Sequence, residues 1–325
     1  MKIAYLLRGK PEYQARIEAI PDHPRYVLIE APEDGIYTKE QLGQVADADI
    51  VIVSNGFVNE QLLSAANRLK FVQRSGAGYE GLDLDALTRR GIPAANNPGA
   101  NAKRVADTCL AMILSLARGY PRVQTLTREG RWGEARLAAK EGMELENKVL
   151  GIIGLGAIGF ELARRARACD MRITYHNPRP VPAERAAAVN AGWMSLKELL
   201  AGSDVVSLNC PLTEQTRGLI GAAELASMKP SAYLVCAARG GIVDEAALRT
   251  ALEEGLIAGA GLDNYATEPL REDDPLLRAP NLLLSPHVAA VTRDGSLWGF
   301  RRAFENARQY VRDGKRPQWL LNDVI

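Results

Sequence analysis

Histidine and cysteine are scarce in this chain: three and four residues among 325. Cys109, Cys169, Cys210 and Cys236 lie far apart, no two form a Cys-x-x-Cys pair, and each sits in an apolar or strand-like stretch. That spacing excludes a disulfide frame and a zinc site and points to reduced thiols in a cytoplasmic protein. No apolar run approaches the length of a membrane span. The start, MKIAYLLRGK, has too short an apolar core for a signal peptide and reads as a first strand. An excess of one charge is lacking too. Lys and Arg number 40 against 39 Asp and Glu, so no global field draws nucleic acid or an anionic membrane. Arg164, Arg165 and Arg167 cluster on one helical stretch and read as a solvated face. Repeats and low-complexity tracts are absent.

What is present is alternation. Short apolar runs at 3–7 (IAYLL), 26–30 (YVLIE), 49–54 (DIVIVS), 71–75 (FVQRS) and 92–96 (IPAAN) are separated by mixed segments such as NEQLLSAANRL. That βαβα order predicts a parallel sheet with helices on its faces. A long helix is expected next, over ANAKRVADTCLAMILSLARGY, with Asn101 near its N-cap. Val105, Cys109, Met112, Ile113 and Leu116 recur there at helical spacing. The alternation then repeats with VLGII (149–153), RITYH (172–176), VVSLN (205–209), YLVCA (233–237), AGAGL (258–262) and LLLS (282–285). The stretch 291–314 reads as one helix that returns to the first half. Two α/β domains are expected: residues 1–100 plus 291–325, and residues 101–290.

Residues 149–160 read VLGIIGLGAIGF. The run Val149 to Ile153 reads as a buried parallel strand, Gly154, Gly156 and Gly159 as the turn after it, and Ala157 as the opening of a helix. In such a unit the first glycine permits a tight turn and the second lets the backbone approach a pyrophosphate. The third lets the helix pack on the strand, and the helix N-terminus points N–H groups at the anion. The alternative is a glycine turn that serves packing alone.

Three histidines are available for proton chemistry. His23 lies in PDHPRY, a proline-flanked turn, and is expected at the surface. His176 ends the second strand of the glycine-rich unit, near the place of a cofactor ribose. His287 lies in LLLSPHVAAVT, just beyond a strand. Carboxyl ends of strands face the ligand crevice in open α/β sheets, and a histidine there suits proton transfer near neutral pH. Arg239, in CAARGGIVDEAAL, also follows a strand. A guanidinium so placed binds a carboxylate through two parallel hydrogen bonds. Glu268, in GLDNYATEPL, follows another strand, and its carboxylate can orient an imidazole. Singly, each has a plain structural reading: a core histidine, a capping arginine, an exposed loop glutamate.

Taken in order and spacing, GLGAIG, PLTEQT, CAARGGIVDEAAL, GLDNYATEPL and SPHVAAVT resemble the D-isomer-specific 2-hydroxyacid dehydrogenase family. RSGAGYEGLDLDALTRRGIPAANNPGANAKRVAD resembles its substrate-side signature, so the likeness spans nearly the whole chain. It implies a Rossmann-type cofactor domain and a flavodoxin-like substrate domain. It implies hydride transfer between NAD(P)H and a small 2-oxo acid of the glyoxylate or hydroxypyruvate type. Arg239 would bind the substrate carboxylate and polarise the carbonyl, His287 would give the proton, and Glu268 would hold His287 charged. Gly76, Ala77 and Gly78 would offer N–H groups to the carboxylate, and Asn55 would touch the variable end of the substrate. Around the cofactor, Gly154, Gly156, Ala157, Ile158 and Gly159 would face the pyrophosphate. Cys210, Pro211 and Thr216 would line the adenosine side, and Ala237, Arg239, Asp263 and His287 the nicotinamide. The segment from Asn101 to about Glu144 resembles the family's dimer-forming region and implies a homodimer.

The chain departs from the family pattern in three places. An acidic residue normally ends the second strand, but YHNPRP puts Asn177 there with Arg179 close by. Without a carboxylate to repel a 2′-phosphate, and with an arginine to pair with it, NADP is favoured over NAD. Pro178 sets the aim of Arg179. Cys236 stands where the family often has Asn, and Asp107 where it prefers Glu. Two further functions stay open. One is a phosphoglycerate dehydrogenase, with Arg74 as a candidate phosphate partner. The other is a non-catalytic NAD(H)-sensing, corepressor-like protein, which would not need Arg239, Glu268 and His287. The sequence ends at Ile325, so the C-terminal regulatory domain of some phosphoglycerate dehydrogenases is not expected in it.

Overall fold

A strand covered on both faces needs apolar residues at every position, and the continuous runs in this sequence meet that demand. A computed structural model describes the chain apart from Gly9, Asp22, Pro24, Asn55 and Ile325, and apart from the side chains at positions 10–12, 16 and 293–298. Two units result, Met1–Asn101 with Val291–Ile325, and Ala102–Ala290.

The first unit holds β1 (Lys2–Leu7), β2 (Arg25–Glu30), β3 (Ile50–Val53), β4 (Phe71–Arg74) and β5 (Ala94–Ala95). All pair in parallel, in the order β2-β1-β3-β4-β5, which is flavodoxin-like. Alternation assigns the faces. Ile3, Tyr5, Leu7, Ile50 and Ile52 pack with Phe300, Ala303, Phe304 and Ala307 of the helix Arg293–Asp313. Ala4, Leu6, Val51 and Val53 pack on the other side with Leu62, Leu63, Ala86 and Leu87. His23 departs from expectation. It is half-buried, its ring stacked on Phe304 with centroids 4.9 Å apart and its Nε2 2.6 Å from the Tyr5 hydroxyl. A helix from the far end of the chain covers the ring, which the local sequence does not reveal.

The second unit holds β6 (Val149–Ile153), β7 (Arg172–His176), β8 (Ala191–Trp193), β9 (Val205–Leu208), β10 (Tyr233–Cys236), β11 (Gly259–Leu262) and β12 (Leu282–Leu284). They form one parallel sheet in the order β12-β11-β10-β9-β6-β7-β8. Counted from β6 this is the doubly wound Rossmann order with one added strand. The order reverses between β6 and β9, where dinucleotides bind in such sheets. The strand β8 is not foreseen from the sequence, because three residues at a sheet edge carry no apolar run.

The helix Ala102–Ala117 buries Val105, Cys109, Met112, Ile113 and Leu116, as their spacing predicts. It stops short of Tyr120. A new helix, Tyr120–Arg128, starts with Pro121 in its first turn, where a missing N–H costs nothing. Asp107 accepts a hydrogen bond from Arg165 Nε at 2.5 Å, and Arg165 also pairs with Glu161. The Arg165 side chain is only 15% exposed, so the basic cluster is not a uniformly solvated face. Only Arg164 and Arg167 match that expectation.

The start of β6 is tied to β9 through Asp204, whose carboxylate accepts from the Val149 N–H and from Lys229 Nζ, each at 2.8 Å. Burial works against its ionisation, but the ammonium and the N–H prevail, and the carboxyl is lowered from its usual range. A lowered carboxyl adds stability above its unfolded-state pKa and loses it as pH falls through the folded value. Asp204→Ala is therefore expected to lose about 1–3 kcal/mol of stability in urea unfolding at neutral pH, with the deficit shrinking below about pH 4. Identical midpoints at neutral pH would show that the tie contributes nothing.

Candidate active site

The strand β6 runs straight into the glycine turn. Gly154 has φ of +98°, and a Cβ there would lie 2.8 Å from the backbone of Asn209. A Cβ at Gly159 would lie 2.3 Å from the Gly154 carbonyl oxygen, so helix Ala157–Arg167 packs against the turn only with glycine at that position. Around Gly156, nothing lies within 4 Å of where a Cβ would be. That open space sits at the start of an eleven-residue helix whose first N–H groups, from Ala157 and Ile158, have no intrahelical acceptor. A phosphate group fits this arrangement.

The turn is braced from its other side. Asn177 Oδ1 accepts from the Leu155 N–H at 2.8 Å. Arg185 donates to the carbonyls of Leu155 (3.2 Å) and Gly156 (2.8 Å) and stands over the Phe160 ring. Sequence reasoning missed Arg185, whose only signal is a basic residue shortly after two prolines. Arg179 is exposed. His176 places Nδ1 3.0 Å from the Met194 carbonyl. Thr216 Oγ1 donates to the Pro211 carbonyl at 2.7 Å, which closes the loop after Cys210. Burial pushes the Cys210 thiol up.

Arg239, Glu268 and His287 follow β10, β11 and β12, three neighbours in one parallel sheet. Parallel strands end on one edge at a spacing of about 4.8 Å, so the three loops share a neighbourhood. His287 Nδ1 lies 2.7 Å from Glu268 Oε2, and Glu268 Oε1 accepts from the Tyr265 N–H at 3.0 Å. An ionised Glu268 takes the Nδ1 proton as its hydrogen bond, which leaves Nε2 as the atom for proton exchange. The His287 side chain is 53% exposed, within reach of a reactant. Arg239 Nη1 donates to the Ala238 carbonyl at 2.8 Å. Cys236, in the place of the family's Asn, brings Sγ to 3.9 Å from the Arg239 carbonyl. Burial pushes its thiol up to about 11 and that of Cys109 up to about 12, so neither is a nucleophile near neutral pH.

His287 has φ of +53°, an unfavoured conformation that its surroundings must hold. Asp263, only 1% exposed, does this. Its carboxylate accepts from Ser285 Oγ (2.6 Å), Val288 N–H (2.9 Å) and Ala289 N–H (2.9 Å), and its carbonyl accepts from the His287 N–H (2.8 Å). Ala237, expected beside the nicotinamide, is buried at the end of β10. Tyr265 donates its hydroxyl to the Ser285 carbonyl at 2.9 Å. A Cβ on Gly240 would fall 1.8 Å from the Tyr265 carbonyl oxygen, so the arginine turn and the glutamate loop touch backbone to backbone. The bracing roles of Asp263, Tyr265, Ser285 and Gly240 were not read from the sequence.

In the first unit, the turn after β4 carries Gly76, Ala77 and Gly78. Each of their carbonyls is engaged from within the unit: Gly76 by the Asn97 N–H (2.9 Å), Ala77 by Asn96 Nδ2 (2.7 Å) and Gly78 by Arg74 Nε (2.7 Å). A planar trans peptide puts its N–H opposite its C=O, so a turn tied back by its oxygens presents N–H groups on its other side. Asn55 lies outside the described residues.

A doubly wound sheet with a glycine turn at its reversal, and an acid–imidazole pair beyond neighbouring strands, defines a dinucleotide-binding protein equipped for proton transfer. The model of the D-isomer specific 2-hydroxyacid dehydrogenase, NAD binding domain, matches residues 110–289. The chain belongs to the D-isomer-specific 2-hydroxyacid dehydrogenase family. It is 40% identical over 268 residues to a glyoxylate reductase of Aeropyrum pernix, covering 81% of this chain and 79% of that one. It is 39% identical over 264 residues to a D-3-phosphoglycerate dehydrogenase of Archaeoglobus fulgidus, covering 81% of this chain. The match spans about half (49%) of that dehydrogenase's own length. Among solved structures, the NADPH-dependent glyoxylate/hydroxypyruvate reductase of Sinorhizobium meliloti, in complex with NADP and malonate, is similar with a TM-score of 0.80 at 28% identity. The match covers 99% of this chain and 97% of that one.

If Asp263 holds the His287 loop, Asp263→Asn, which sets an amide N–H2 among three donors, is expected to cost about 2–4 kcal/mol of stability. The Val288 and Ala289 amides should then exchange with solvent faster. Unchanged exchange at both amides would remove Asp263 from that role.

Proposed function

We propose that this chain is an NAD(P)H-dependent reductase that converts a small 2-oxo acid, of the glyoxylate or hydroxypyruvate type, into the D-2-hydroxy acid. The reading rests on the Glu268–His287 pair, 2.7 Å apart beyond β11 and β12. In it, residues 101–290 form the cofactor domain, and residues 1–100 with 291–325 the substrate domain. The N–H groups of Ala157 and Ile158 and the open space at Gly156 hold the pyrophosphate, between Gly154 and Gly159. Cys210, Pro211 and Thr216 take the adenosine side, and Ala237 and Asp263 the nicotinamide side.

A bound nicotinamide supplies hydride to the carbonyl carbon. The rest falls to the chain's own groups. Arg239 binds the substrate carboxylate through paired N–H donors and draws charge toward the carbonyl oxygen. Gly76, Ala77 and Gly78 add N–H donors to that carboxylate, and Asn55 meets the variable end. His287 gives its Nε2 proton to the carbonyl oxygen, while Glu268 keeps the ring oriented from Nδ1. The half-exposed imidazole regains its proton from solvent.

Asn177 in place of an acid, with Arg179 exposed beyond it, favours NADPH. The similar Sinorhizobium meliloti reductase is NADPH-dependent. Arg74 donates to the carbonyls of Gly78 (2.7 Å) and Ser54 (3.0 Å), which favours a bracing role over phosphate binding and hence a small substrate. The 39% identity to a phosphoglycerate dehydrogenase keeps a phosphorylated substrate as the second reading. A pure NAD(H) sensor would have no need of the acid–imidazole pair.

A homodimer is part of the proposal. The helices Tyr120–Arg128 and Trp132–Lys140 bury little beyond Leu126, Ala135 and Ala138 between them, and they leave Tyr120, Trp132 and Leu137 more than 60% exposed. Large apolar side chains at such exposure fit a partner subunit. The four free cysteines, and the absence among the described residues of a helix able to cross a membrane, support a cytoplasmic placement.

In steady-state assays, glyoxylate and hydroxypyruvate are expected to be reduced faster than 3-phosphohydroxypyruvate, with NADPH preferred to NADH. His287→Ala should lower kcat by about 10²–10⁴-fold and leave the Kd for NADPH unchanged. No cofactor oxidation with any 2-oxo acid would sink the proposal, and preference for the phosphorylated acid would promote the second reading. Sedimentation equilibrium should give twice the chain mass of 35.3 kDa, and a single-chain mass would overturn the dimer.

A further inference from the structure

Glu245 is the first residue of the helix Glu245–Glu253, directly after the N-cap Asp244. Its Oε1 accepts a hydrogen bond from the Ala266 N–H at 2.6 Å. Ala266 belongs to the loop that leaves β11 and carries Glu268 two residues later. The neighbouring Tyr265 carbonyl is the one that leaves no room for a Cβ on Gly240. Arg239 and Glu245 also border one tight crevice, too narrow for water, with Cys236, Val243 and Asn264. The segment from the arginine turn to the helix start therefore grips the glutamate loop twice, once by close backbone packing and once by a carboxylate.

We propose that Glu245 is a positioning residue for the acid–base pair. It fixes the loop that presents Glu268 to His287, and it sets a second carboxylate behind Glu268. The proposal rests on the reading of Arg239, Glu268 and His287 as a reductase site, and it adds a residue that this reading does not use.

The charged groups facing Glu245 are the carboxylates of Asp274, Asp244 and Glu268, and Arg239 borders the same crevice. Asp244 is turned to the Ala247 N–H and Asp274 to the Leu276 N–H, so each caps its own helical turn. Glu245, unlike Asp244 and Asp274, accepts from the loop, at the Ala266 N–H. Burial raises its carboxyl, the Ala266 N–H opposes the rise, and Asp274, Asp244 and Glu268 add to it. Once ionised, Glu245 adds a second negative charge behind the Glu268 carboxylate that meets His287 Nδ1.

Two variants separate the bond from the charge. Glu245→Gln keeps an oxygen for the Ala266 N–H and removes the charge, and Glu245→Ala removes both. The first readout needs no turnover. With three histidines in the chain, the imidazole C2–H signals resolve in proton NMR, and His287→Ala assigns one of them. In Glu245→Gln the His287 titration curve is expected to move to lower pH by roughly half a unit, with His23 and His176 unmoved. In Glu245→Ala kcat should also fall about tenfold with the Kd for NADPH unchanged, while Glu245→Gln retains most of kcat.

Superimposable His287 curves in wild type and Glu245→Gln, both folded by their unfolding midpoints, overturn the proposal. So does a wild-type kcat in folded Glu245→Ala. If Glu245→Ala does not fold, the glutamine variant decides. If the wild type reduces no 2-oxo acid, the functional reading falls by itself, and the histidine titration still decides on Glu245.

Discussion

A buried carboxylate that accepts three hydrogen bonds from one short loop is the constraint on which this site depends. Asp263 is almost fully buried, and its carboxylate is satisfied by Ser285, Val288 and Ala289, which all point donors at it. Those three donors bracket His287, and the same geometry holds that histidine in its left-handed conformation. The loop then has one favourable path, and the imidazole emerges where Glu268 meets its Nδ1. Tyr265 reinforces the path through the Ser285 carbonyl. The His287 side chain is half exposed, while Asp263 and Tyr265 beneath its loop are buried. Exposure gives reach but no rigidity, so the rigidity comes from the polar network beneath.

The two units share one backbone device. In the turn after β4, Asn97, Asn96 and Arg74 engage the carbonyl oxygens of Gly76, Ala77 and Gly78. In the glycine turn after β6, Arg185 engages those of Leu155 and Gly156. Peptide planarity makes the result the same: oxygens turn inward and N–H groups turn outward. The outward N–H groups then contribute positive potential from the backbone itself.

Much of the architecture was readable in advance because it follows from local rules. Each apolar run became a strand with ends within two residues of those expected, since sheets covered on both faces leave period and burial unambiguous. The glycine turn was readable because Gly154 and Gly159 each answer a distinct steric demand of the fold, and Gly156 leaves open space at the helix start. Less was readable where a distant element decides. The aromatic face of the helix Arg293–Asp313 buries His23. Asp107, from another helix, draws Arg165 out of the solvent. The edge strand β8 has no core-facing run to announce it. Arg185 gave no periodic or motif signal, because its targets are backbone atoms.

The sequence by itself determined two parallel α/β sheets, the site of the glycine turn, and the candidacy of Arg239, Glu268 and His287. Periodicity, turn chemistry and ordered motifs are properties of neighbours along the chain. Only the tertiary structure decided that Glu268 and His287 meet at 2.7 Å, that Asp263 is a brace with its carboxylate fully engaged, and that Glu245 reaches the loop beyond β11. Those outcomes depend on the order of β10, β11 and β12 within the sheet and on hydrogen bonds between loops some twenty residues apart, which no local pattern encodes.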